Sequence, residues 1–346
     1  MLVMTMMFKQ FFTSVLLMTL SIGSYADEAL IHRKDVQHFI NALVKHDHFS
    51  RSELIAALKN AQYQPQVIES MEKPYEQKTW DVYKALFLTP KRVQEGVQFW
   101  QANADTLARA EKEYGVPAEM IVAILGIETQ YGKRQGEYKV LDALTTLAFY
   151  YPKRANYFTR ELEEYFLLCR EHHVSPTQYI GSYAGAIGQP QFMPSSYRHF
   201  AVDFAGHGQR DLVNDNKDSI GSVANYFHQH GWVSNASVAQ PAQIAGAKPE
   251  ALVVNGKHAD YTYNRLITSG VIPVSRIPNH PNQVGLIELI TNKGSEYWMA
   301  YPNFYVITRY NSSPQYALAA YLLAQQLREG RKMAMKQAYT HTHAYG

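Results

Sequence analysis

The stretch that decides the fold is Val116-Pro117-Ala118-Glu119-Met120-Ile121-Val122-Ala123-Ile124-Leu125-Gly126-Ile127-Glu128-Thr129-Gln130-Tyr131-Gly132. Pro117 suits the first turn of a helix, and Gly132 suits the residue that follows a helix end. Between them, a carboxyl group continues an apolar stripe at helical spacing, formed by Ile121, Ile124, Leu125 and Glu128. The stretch therefore predicts a helix over residues 118–131 with Glu128 on its buried face.

A carboxyl group on a buried helix face lies in surroundings of low dielectric constant. Burial disfavours the charged form and raises the pKa of such a group, and a general acid that works near neutral pH needs a raised pKa. Glu128 is therefore the candidate catalytic acid. The alternative is a glutamate at a frayed helix end that reaches solvent or forms a salt bridge.

Further motifs follow this stretch in order along the chain. They are residues 141–149 (LDALTTLAF), 151–155 (YPKRA), 181–197 (GSYAGAIGQPQFMPSSY), 220–227 (IGSVANYF) and 308–311 (TRYN). Together with residues 126–132 (GIETQYG), the series resembles the B-type membrane-bound lytic murein transglycosylases. The resemblance extends from about residue 80 to residue 325.

This resemblance implies a mainly α (α+β) fold with a lysozyme-like helical core. Changes in composition along the chain indicate similar segments. We expect a signal peptide at 1–26, an N-terminal helical region at 27–95, the catalytic core at 96–237, a small β-rich insertion at 238–307 and a C-terminal helix with a tail at 308–346.

Outside the central stretch, helical patterns cover residues 99–114, 154–172, 218–230 and 313–328. Ser50 and Glu53 have the spacing of a capping box that opens another helix. Short strands or turns are predicted at residues 246–249, 253–256, 272–274, 284–289 and 305–308.

The resemblance also implies a reaction. Glu128 would protonate the oxygen that links N-acetylmuramic acid to N-acetylglucosamine, and its carboxylate would then accept the proton of the muramyl C6 hydroxyl as that hydroxyl attacks C1. The product is a 1,6-anhydromuramyl end. Hydrolytic glycosidases usually need two carboxylates, and spacing alone leaves Asp142 and Glu161 open as a second one. A hydrolytic muramidase and an inactive peptidoglycan-binding protein are the alternative functions.

Position by position, the resemblance assigns substrate contacts to Tyr83, Ser182, Gln191, Tyr226, Tyr310, Asn311 and Tyr316. Serine, glutamine and asparagine can hydrogen-bond acetamido and hydroxyl groups, and tyrosine offers a ring face and a hydroxyl. Structural roles for all of them stay open. Pro190 departs from the family, which usually has glycine there, so a positive φ at this position would require a different loop.

The amino terminus and the charge limit the location and the partners. An apolar run from Phe11 to Ile22 precedes Ser24-Tyr25-Ala26, the pattern of a secretory signal peptide cut after Ala26; an uncleaved anchor helix is the alternative. No cysteine for lipid attachment lies near this cut, so a soluble periplasmic protein without a stable membrane anchor is expected. The lone cysteine, Cys169, is predicted to be a small buried residue.

The net charge of +3 is too small to indicate a nucleic-acid-binding protein. We expect peptidoglycan glycan strands as the binding partner, and proteins of cell-wall synthesis remain a further class of partner. We expect no cofactor.

Some relatives bind calcium in an EF-hand-like loop, which corresponds here to residues 203–214 (DFAGHGQRDLVN). Gly208 holds the turn position, but Ala205, His207 and Asn214 occupy positions for calcium ligands. Calcium prefers hard oxygen ligands with a carboxylate at the last position. The sequence therefore predicts no calcium site and no other metal site.

Overall fold

The computed structural model describes residues 29–73, 78–246, 252, 258–275, 277 and 281–343, with side chains as far as residue 337. The predicted signal peptide at 1–26 lies outside the described residues, as do the predicted strands or turns at 247–249 and 253–256. Within the described ranges, no helix is both long enough and apolar enough to cross a membrane.

The protein is mainly helical with a small sheet, as predicted. The helices are α1 (Lys34–His46), α2 (Arg51–Lys59), α3 (Pro65–Glu72), α4 (Trp80–Phe87), α5 (Pro90–Ala102), α6 (Ala104–Tyr114), α7 (Ala118–Thr129), α8 (Val140–Tyr150), α9 (Ala155–Glu171), α10 (Pro194–Phe200), α11 (Asn216–Gln229), α12 (Tyr263–Thr268), α13 (Pro302–Tyr310) and α14 (Pro314–His343). The strands are β1 (Tyr138–Lys139), β2 (Ile180–Gly181), β3 (Ala239–Ile244), β4 (Tyr261–Thr262), β5 (Val271–Pro273), β6 (Gln283–Thr291) and β7 (Gly294–Ala300).

The chain forms two compact units. The first contains the described residues of 29–72, 136–187 and 193–195, and the second contains those of 73–135, 188–192 and 196–343. In the first unit, the ring of Phe39 on α1 packs against Phe149 on α8 and Phe166 on α9, with centroids 5.9 and 6.1 Å apart. Cys169 is 2% exposed in this unit, and burial raises the pKa of its thiol to about 12. The prediction of a small buried cysteine is confirmed.

The second unit combines a helical part with an antiparallel sheet. Helix α7 packs against α5, α6, α11 and α14. The sheet has the strand order β4-β6-β7-β3-β5, and β6 and β7 form a hairpin whose register pairs Ile287 with Trp298. One face of the sheet covers an apolar cluster that includes Leu266, Leu286 and Met299. The sheet therefore has its own core beside the helices of this unit.

The structure corrects two predictions of secondary structure. Residues 305–308 form part of α13, not a strand, because Pro302 begins a helix and burial of Val306 and Ile307 outweighs the preference of β-branched residues for strands. The predicted helix over 99–114 is two helices, α5 and α6, separated at Asn103. At the predicted capping box, Ser50 stands at the N-cap of α2 but its hydroxyl hydrogen-bonds Ser52, so no side-chain cap forms.

Candidate active site

Helix α7 is buried on nearly all sides. Ten of its 12 residues are buried, and the two partly exposed ones are Glu119 near the start and Glu128 near the end. The predicted apolar stripe is therefore one side of a helix that is apolar all round, which is the pattern of a helix in a protein interior. The two glutamates mark the places where this helix reaches a less buried environment.

A left-handed turn ends α7 immediately after Glu128. Gln130, Tyr131 and Gly132 have φ values of 51°, 62° and 83°, and the Tyr131 amide donates to the carbonyl of Leu125 at 3.0 Å. The Tyr131 ring folds back over the helix, where a Cβ on Gly126 would lie 2.7 Å from its hydroxyl oxygen. Glycine at position 126 therefore lets the turn close against the helix.

Thr129 connects this turn to the loop at residues 188–192. Its hydroxyl, which is buried, donates to the carbonyl of Gln189 at 2.8 Å and accepts from the amide of Gly132 at 2.9 Å. The side-chain amide of Gln189 donates to Asn216 Oδ1 at 2.9 Å, and its backbone amide donates to Leu212 at 2.7 Å. Buried hydrogen bonds of this kind fix the backbone next to Glu128.

The carboxylate of Glu128 accepts a hydrogen bond from one of two stacked tyrosines. The hydroxyl of Tyr316, a buried residue on α14, donates to Glu128 Oε1. The ring of Tyr310 stacks almost parallel to that of Tyr316, with centroids 6.5 Å apart and an angle of 8°. Burial raises the pKa of both tyrosines well above the ordinary value, and the charge of Glu128 raises it further. Both phenols therefore stay protonated and can donate hydrogen bonds.

Ring contacts, both stacked and edge-to-face, continue away from Glu128 as an aromatic row, which we define as Tyr316, Tyr310, Tyr226 and His230. The rings of Tyr310 and Tyr226 have centroids 4.9 Å apart, and those of Tyr226 and His230 are 4.1 Å apart. The Tyr226 hydroxyl donates to the carbonyl of Arg309 at 2.6 Å. This bond holds Tyr226 at the end of α13, next to Tyr310.

The loop that contains Pro190 joins the aromatic row. The hydroxyl of Tyr310 donates to the carbonyl of Pro190 at 2.5 Å. Positive φ values occur at Gly188 (75°) and Gln191 (52°), on either side of the proline. Pro190 itself therefore does not need the left-handed conformation that proline cannot adopt.

The remaining predicted contacts in the second unit have structural partners. The Gln191 side-chain amide donates to the carbonyls of Gln135 at 3.1 Å and Gly188 at 2.8 Å. Tyr83 is buried on α4, where its ring packs against that of Phe87 with centroids 5.2 Å apart, and it contributes to the raised pKa of Tyr316. Asn311 Oδ1 accepts from the amide of Ser313 at 3.0 Å, just before α14 begins.

Ser182 belongs to the first unit. Its hydroxyl accepts from the amides of Ala184 at 3.2 Å and Ala186 at 3.1 Å, and its own amide donates to the carbonyl of Ala186 at 2.9 Å. Ser182 thus stabilises a tight turn within its loop. The other predicted site residues all lie in the second unit.

Asp142 and Glu161, which the sequence leaves open as a second carboxylate, are both buried in the first unit. Asp142 accepts from the amide of Gln62 at 3.0 Å. Glu161 accepts from the amide and the hydroxyl of Ser195 at 3.0 and 2.7 Å. These hydrogen bonds connect neighbouring segments of the first unit, so both acids have a structural role.

In the loop at residues 203–214, which corresponds to a calcium-binding loop of some relatives, the carboxylates accept hydrogen bonds from the loop's own backbone. Asp203 accepts from the amides of Gly206, His207 and Gly208 at 2.6–2.9 Å, and these bonds, with that of His207 foremost, lower the pKa of Asp203. Asp211 accepts from the amides of Val213 and Asn214, both at 2.9 Å. Within the residues that the structure describes, no three His, Cys, Asp or Glu side chains form a group that could hold a metal ion. The absence of calcium binding stays a prediction.

The arrangement provides one carboxyl group at the end of a buried helix, a phenol that hydrogen-bonds it, and a rigid backbone around it. Such a group can give a proton to a leaving oxygen and take one back. Sequence reasoning missed the positioning hydroxyl of Thr129 and its partner Gln189. Both lie inside the quoted motifs, where a polar residue between apolar or glycine neighbours is a signal for a buried hydrogen bond.

Comparisons with known proteins identify the family of the chain. The chain matches the Transglycosylase SLT domain family over residues 32–325. It is 42% identical over 301 residues to membrane-bound lytic murein transglycosylase B of Escherichia coli strain K12. The aligned region covers 84% of this chain and 82% of that protein.

Solved structures show the same fold. Soluble lytic transglycosylase SltB1 from Pseudomonas aeruginosa is 42% identical, with a TM-score of 0.79 over 85% of this chain and 98% of that one. SltB3 from the same organism, solved in complex with NAG-NAM-pentapeptide, is 26% identical, with a TM-score of 0.73 over 86% of this chain and 80% of that one. The fold is therefore lysozyme-like, as its neighbours are. The chain belongs to the Transglycosylase SLT domain family and is a lytic transglycosylase.

Proposed function

We propose that Glu128 is the single catalytic acid/base of this lytic transglycosylase, and that its substrate is the β-1,4 bond between N-acetylmuramic acid and N-acetylglucosamine in peptidoglycan. The observation that carries the proposal is the position of Glu128. It is a partly exposed carboxylate at the end of a buried helix, with the Tyr316 hydroxyl as its hydrogen-bond donor. A general acid/base needs a fixed position and access to substrate, and Glu128 has both.

The reaction proceeds in two proton transfers. Protonated Glu128 donates its proton to the glycosidic oxygen as the bond from that oxygen to muramyl C1 breaks. The resulting carboxylate accepts the proton of the muramyl C6 hydroxyl while O6 forms a bond to C1. Atoms balance without water, the product is a 1,6-anhydromuramyl end, and Glu128 regains its proton. Attack from within the same sugar is favoured because its entropic cost is low.

Tyr316 positions the carboxylate for both transfers. A hydrogen bond from a neutral phenol stabilises the carboxylate that forms after the first transfer. Since burial keeps the pKa of Tyr316 high, the phenol donates this hydrogen bond without supplying a competing proton. Tyr310 supports the ring of Tyr316 by stacking and is itself fixed by the carbonyl of Pro190.

Sugar contacts are proposed for Tyr83, Ser182, Gln191, Tyr226, Tyr310, Asn311 and Tyr316. Aromatic rings suit the faces of sugar rings, and the amide and hydroxyl groups suit acetamido substituents. We further propose that residues 1–26 are a signal peptide that directs the protein to the periplasm. We also propose the domain limits that the sequence predicts. Proteins of cell-wall synthesis are the proposed partners besides the glycan.

Replacement of Glu128 by glutamine tests the assignment. Purified sacculi are incubated with wild type or Glu128→Gln, and the release of soluble muropeptides is measured beside sedimentation of the protein with the sacculi. We expect release to stop while sedimentation persists. Unchanged release would contradict the role of Glu128, and a wild type that sediments without releasing any product would identify a binding protein.

A further inference from the structure

A polar pocket lies in the second unit between the end of α11, the segment before β4, and α13. Its volume is about 380 Å³. The side chains that give it its character are His230, His258, Asp260, Gln283, Tyr305 and Arg309. None of these residues belongs to the proposed catalytic group or to the predicted sugar contacts.

The pocket has an excess of groups that bind anions. Arg309 is exposed and forms no ion pair with any residue that the structure describes. Its guanidinium has a planar set of donors that matches a carboxylate in a two-point contact. His258 can add a further donor, and Asp260 is the one acid among the lining residues that the structure describes. An arginine fork with one carboxylate beside it suits a ligand that has both an anionic and a cationic group.

The pocket adjoins the aromatic row. His230 Nδ1 lies 2.7 Å from the carbonyl of Tyr226, and since a carbonyl only accepts, Nδ1 carries the proton and Nε2 stays available. The carbonyl of Arg309 accepts the hydroxyl of Tyr226. His230 of the pocket thus lies at one end of the aromatic row, and Tyr316 at the other end hydrogen-bonds Glu128.

We propose that this pocket binds the end of a glycan-attached peptide at a diamino acid, with Arg309 contacting a carboxylate and Asp260 contacting the side-chain ammonium group of the same residue. This inference rests on the proposed peptidoglycan substrate, because the peptides on muramyl residues end in a free carboxylate and can contain a diamino acid with a free side-chain amine. The solved complex of SltB3 contains a glycan with a pentapeptide. The pocket would make Arg309 a specificity residue for glycans that keep their peptides.

The probe for binding is a synthetic peptide of the peptidoglycan sequence, titrated calorimetrically into the full-length protein. Its amino terminus is acetylated, as it is acylated on the glycan, and its side-chain amine and terminal carboxylate are free. The test variant is Arg309→Ala, which keeps the backbone carbonyl that accepts the Tyr226 hydroxyl. The control variant is Arg331→Ala, which removes an arginine of the same unit that packs over Trp100 and does not line the pocket. We expect the dissociation constant to rise about tenfold or more in Arg309→Ala, in line with the loss of a charge-assisted hydrogen bond, and to stay unchanged in Arg331→Ala. Asp260→Asn should weaken binding of the same peptide and leave binding of the form acetylated on its side-chain amine unaffected.

Turnover provides the second readout. The ratio of kcat/KM on peptide-bearing strands to kcat/KM on strands stripped of peptide should fall about tenfold in Arg309→Ala. Equal loss on both strands, or no binding of the peptide to wild type, would overturn the pocket assignment. The titration does not depend on Glu128, so a wild type that binds peptide but cleaves neither strand would refute only the proposed catalysis.

Discussion

The two ends of α7 carry the same residue in different surroundings. At the first end, Glu119 lies 3.8 Å from the guanidinium of Arg328, and burial raises the pKa of this carboxyl despite that positive charge. At the other end, Glu128 has a neutral phenol donor on Tyr316 and the ring of Tyr310 nearby. Both glutamates are partly exposed on an otherwise buried helix.

If Glu128 is the catalyst, as we propose, this difference means that partial burial of a glutamate is not sufficient for catalysis. An arginine partner favours the charged form of a carboxylate and holds it in an ion pair, although at Glu119 burial outweighs this effect on the pKa. A phenol donor positions the carboxylate while leaving it free to gain and lose a proton. The backbone differs as well, because the turn after Glu128 is fixed by the buried hydroxyl of Thr129.

The largest effect is expected for paired replacements of the two glutamates. Glu128→Gln should lower the rate of muropeptide release by on the order of a thousandfold, the contribution of a general acid/base. Glu119→Gln, which changes the same group at the other end of the helix, should keep the rate within about threefold because ion pairs of this kind contribute little. Initial rates on purified sacculi measure both, and comparable losses would refute the contrast.

Loss of the phenol donor should have an intermediate effect. Tyr316→Phe removes the hydroxyl but keeps the ring that stacks on Tyr310, and the rate should fall about tenfold to a hundredfold, as for a hydrogen bond to a charged group. Tyr321→Phe on the same helix is the control and should keep the wild-type rate. A Tyr316→Phe enzyme with full activity and an unchanged pH profile would mean that the phenol does not act on Glu128.

Loss of the Thr129 hydroxyl from the turn after Glu128 should lower the stability of the protein. Thr129→Val leaves the carbonyl of Gln189 and the amide of Gly132 without their partner, and the free energy of unfolding should fall by about 1–3 kcal/mol. Thr129→Ser keeps the hydroxyl and should retain most of that stability. Urea denaturation measures both variants, and equal stability of valine and serine at this position would contradict the role of the hydrogen bonds.

The other end of the helix should show a pH effect of defined sign. The pKa of Glu119 in the folded protein is raised above the reference value of 4.5. The folded state therefore binds the proton more tightly than the unfolded state, and this stabilisation is complete below pH 4.5 and is lost as the pH rises through the folded pKa. Relative to Glu119→Gln, wild type should lose stability between pH 4 and pH 7, about the range over which a buried carboxyl titrates. The opposite slope would show that Arg328 outweighs burial.

The smallest effect is expected for calcium. Since Asp203 and Asp211 already accept backbone amides within their own loop, millimolar calcium should leave the melting temperature unchanged. A triple variant with Ala205→Asp, His207→Asp and Asn214→Glu restores the oxygen ligands that an EF-hand loop needs and should be stabilised by calcium. Calorimetric binding at sub-millimolar calcium in wild type would refute the prediction.

The sequence could predict the elements that depend on local signals. Pro117 and the apolar run predict the start of α7 correctly, because capping and burial act within a few residues. The helix ends at Thr129 and not at Tyr131, because Gln130 and Tyr131 already have positive φ values. The strand predicted at 305–308 was wrong because Val306 and Ile307 resemble strand residues, and only their packing against the rest of the second unit favours the helix.

The contacts that complete the site are distant in sequence. Tyr316 and Glu128 are 188 residues apart, and Gln189 and Thr129 are 60 apart. Nothing in the spacing of such residues reveals which hydroxyl donates to which oxygen, so only resemblance to a family could place Tyr316 in the site. The structure alone identified the bond between Thr129 and Gln189.

The most direct test of the account is the mass of the products released from sacculi digested in water enriched in ¹⁸O, with Glu128→Gln as the blank. Attack by the muramyl C6 hydroxyl predicts anhydromuropeptides that lack the mass of one water and contain no ¹⁸O, and these should be absent from the blank. Products with reducing ends that contain ¹⁸O would contradict the account, because water and not the C6 hydroxyl would then be the group that Glu128 activates.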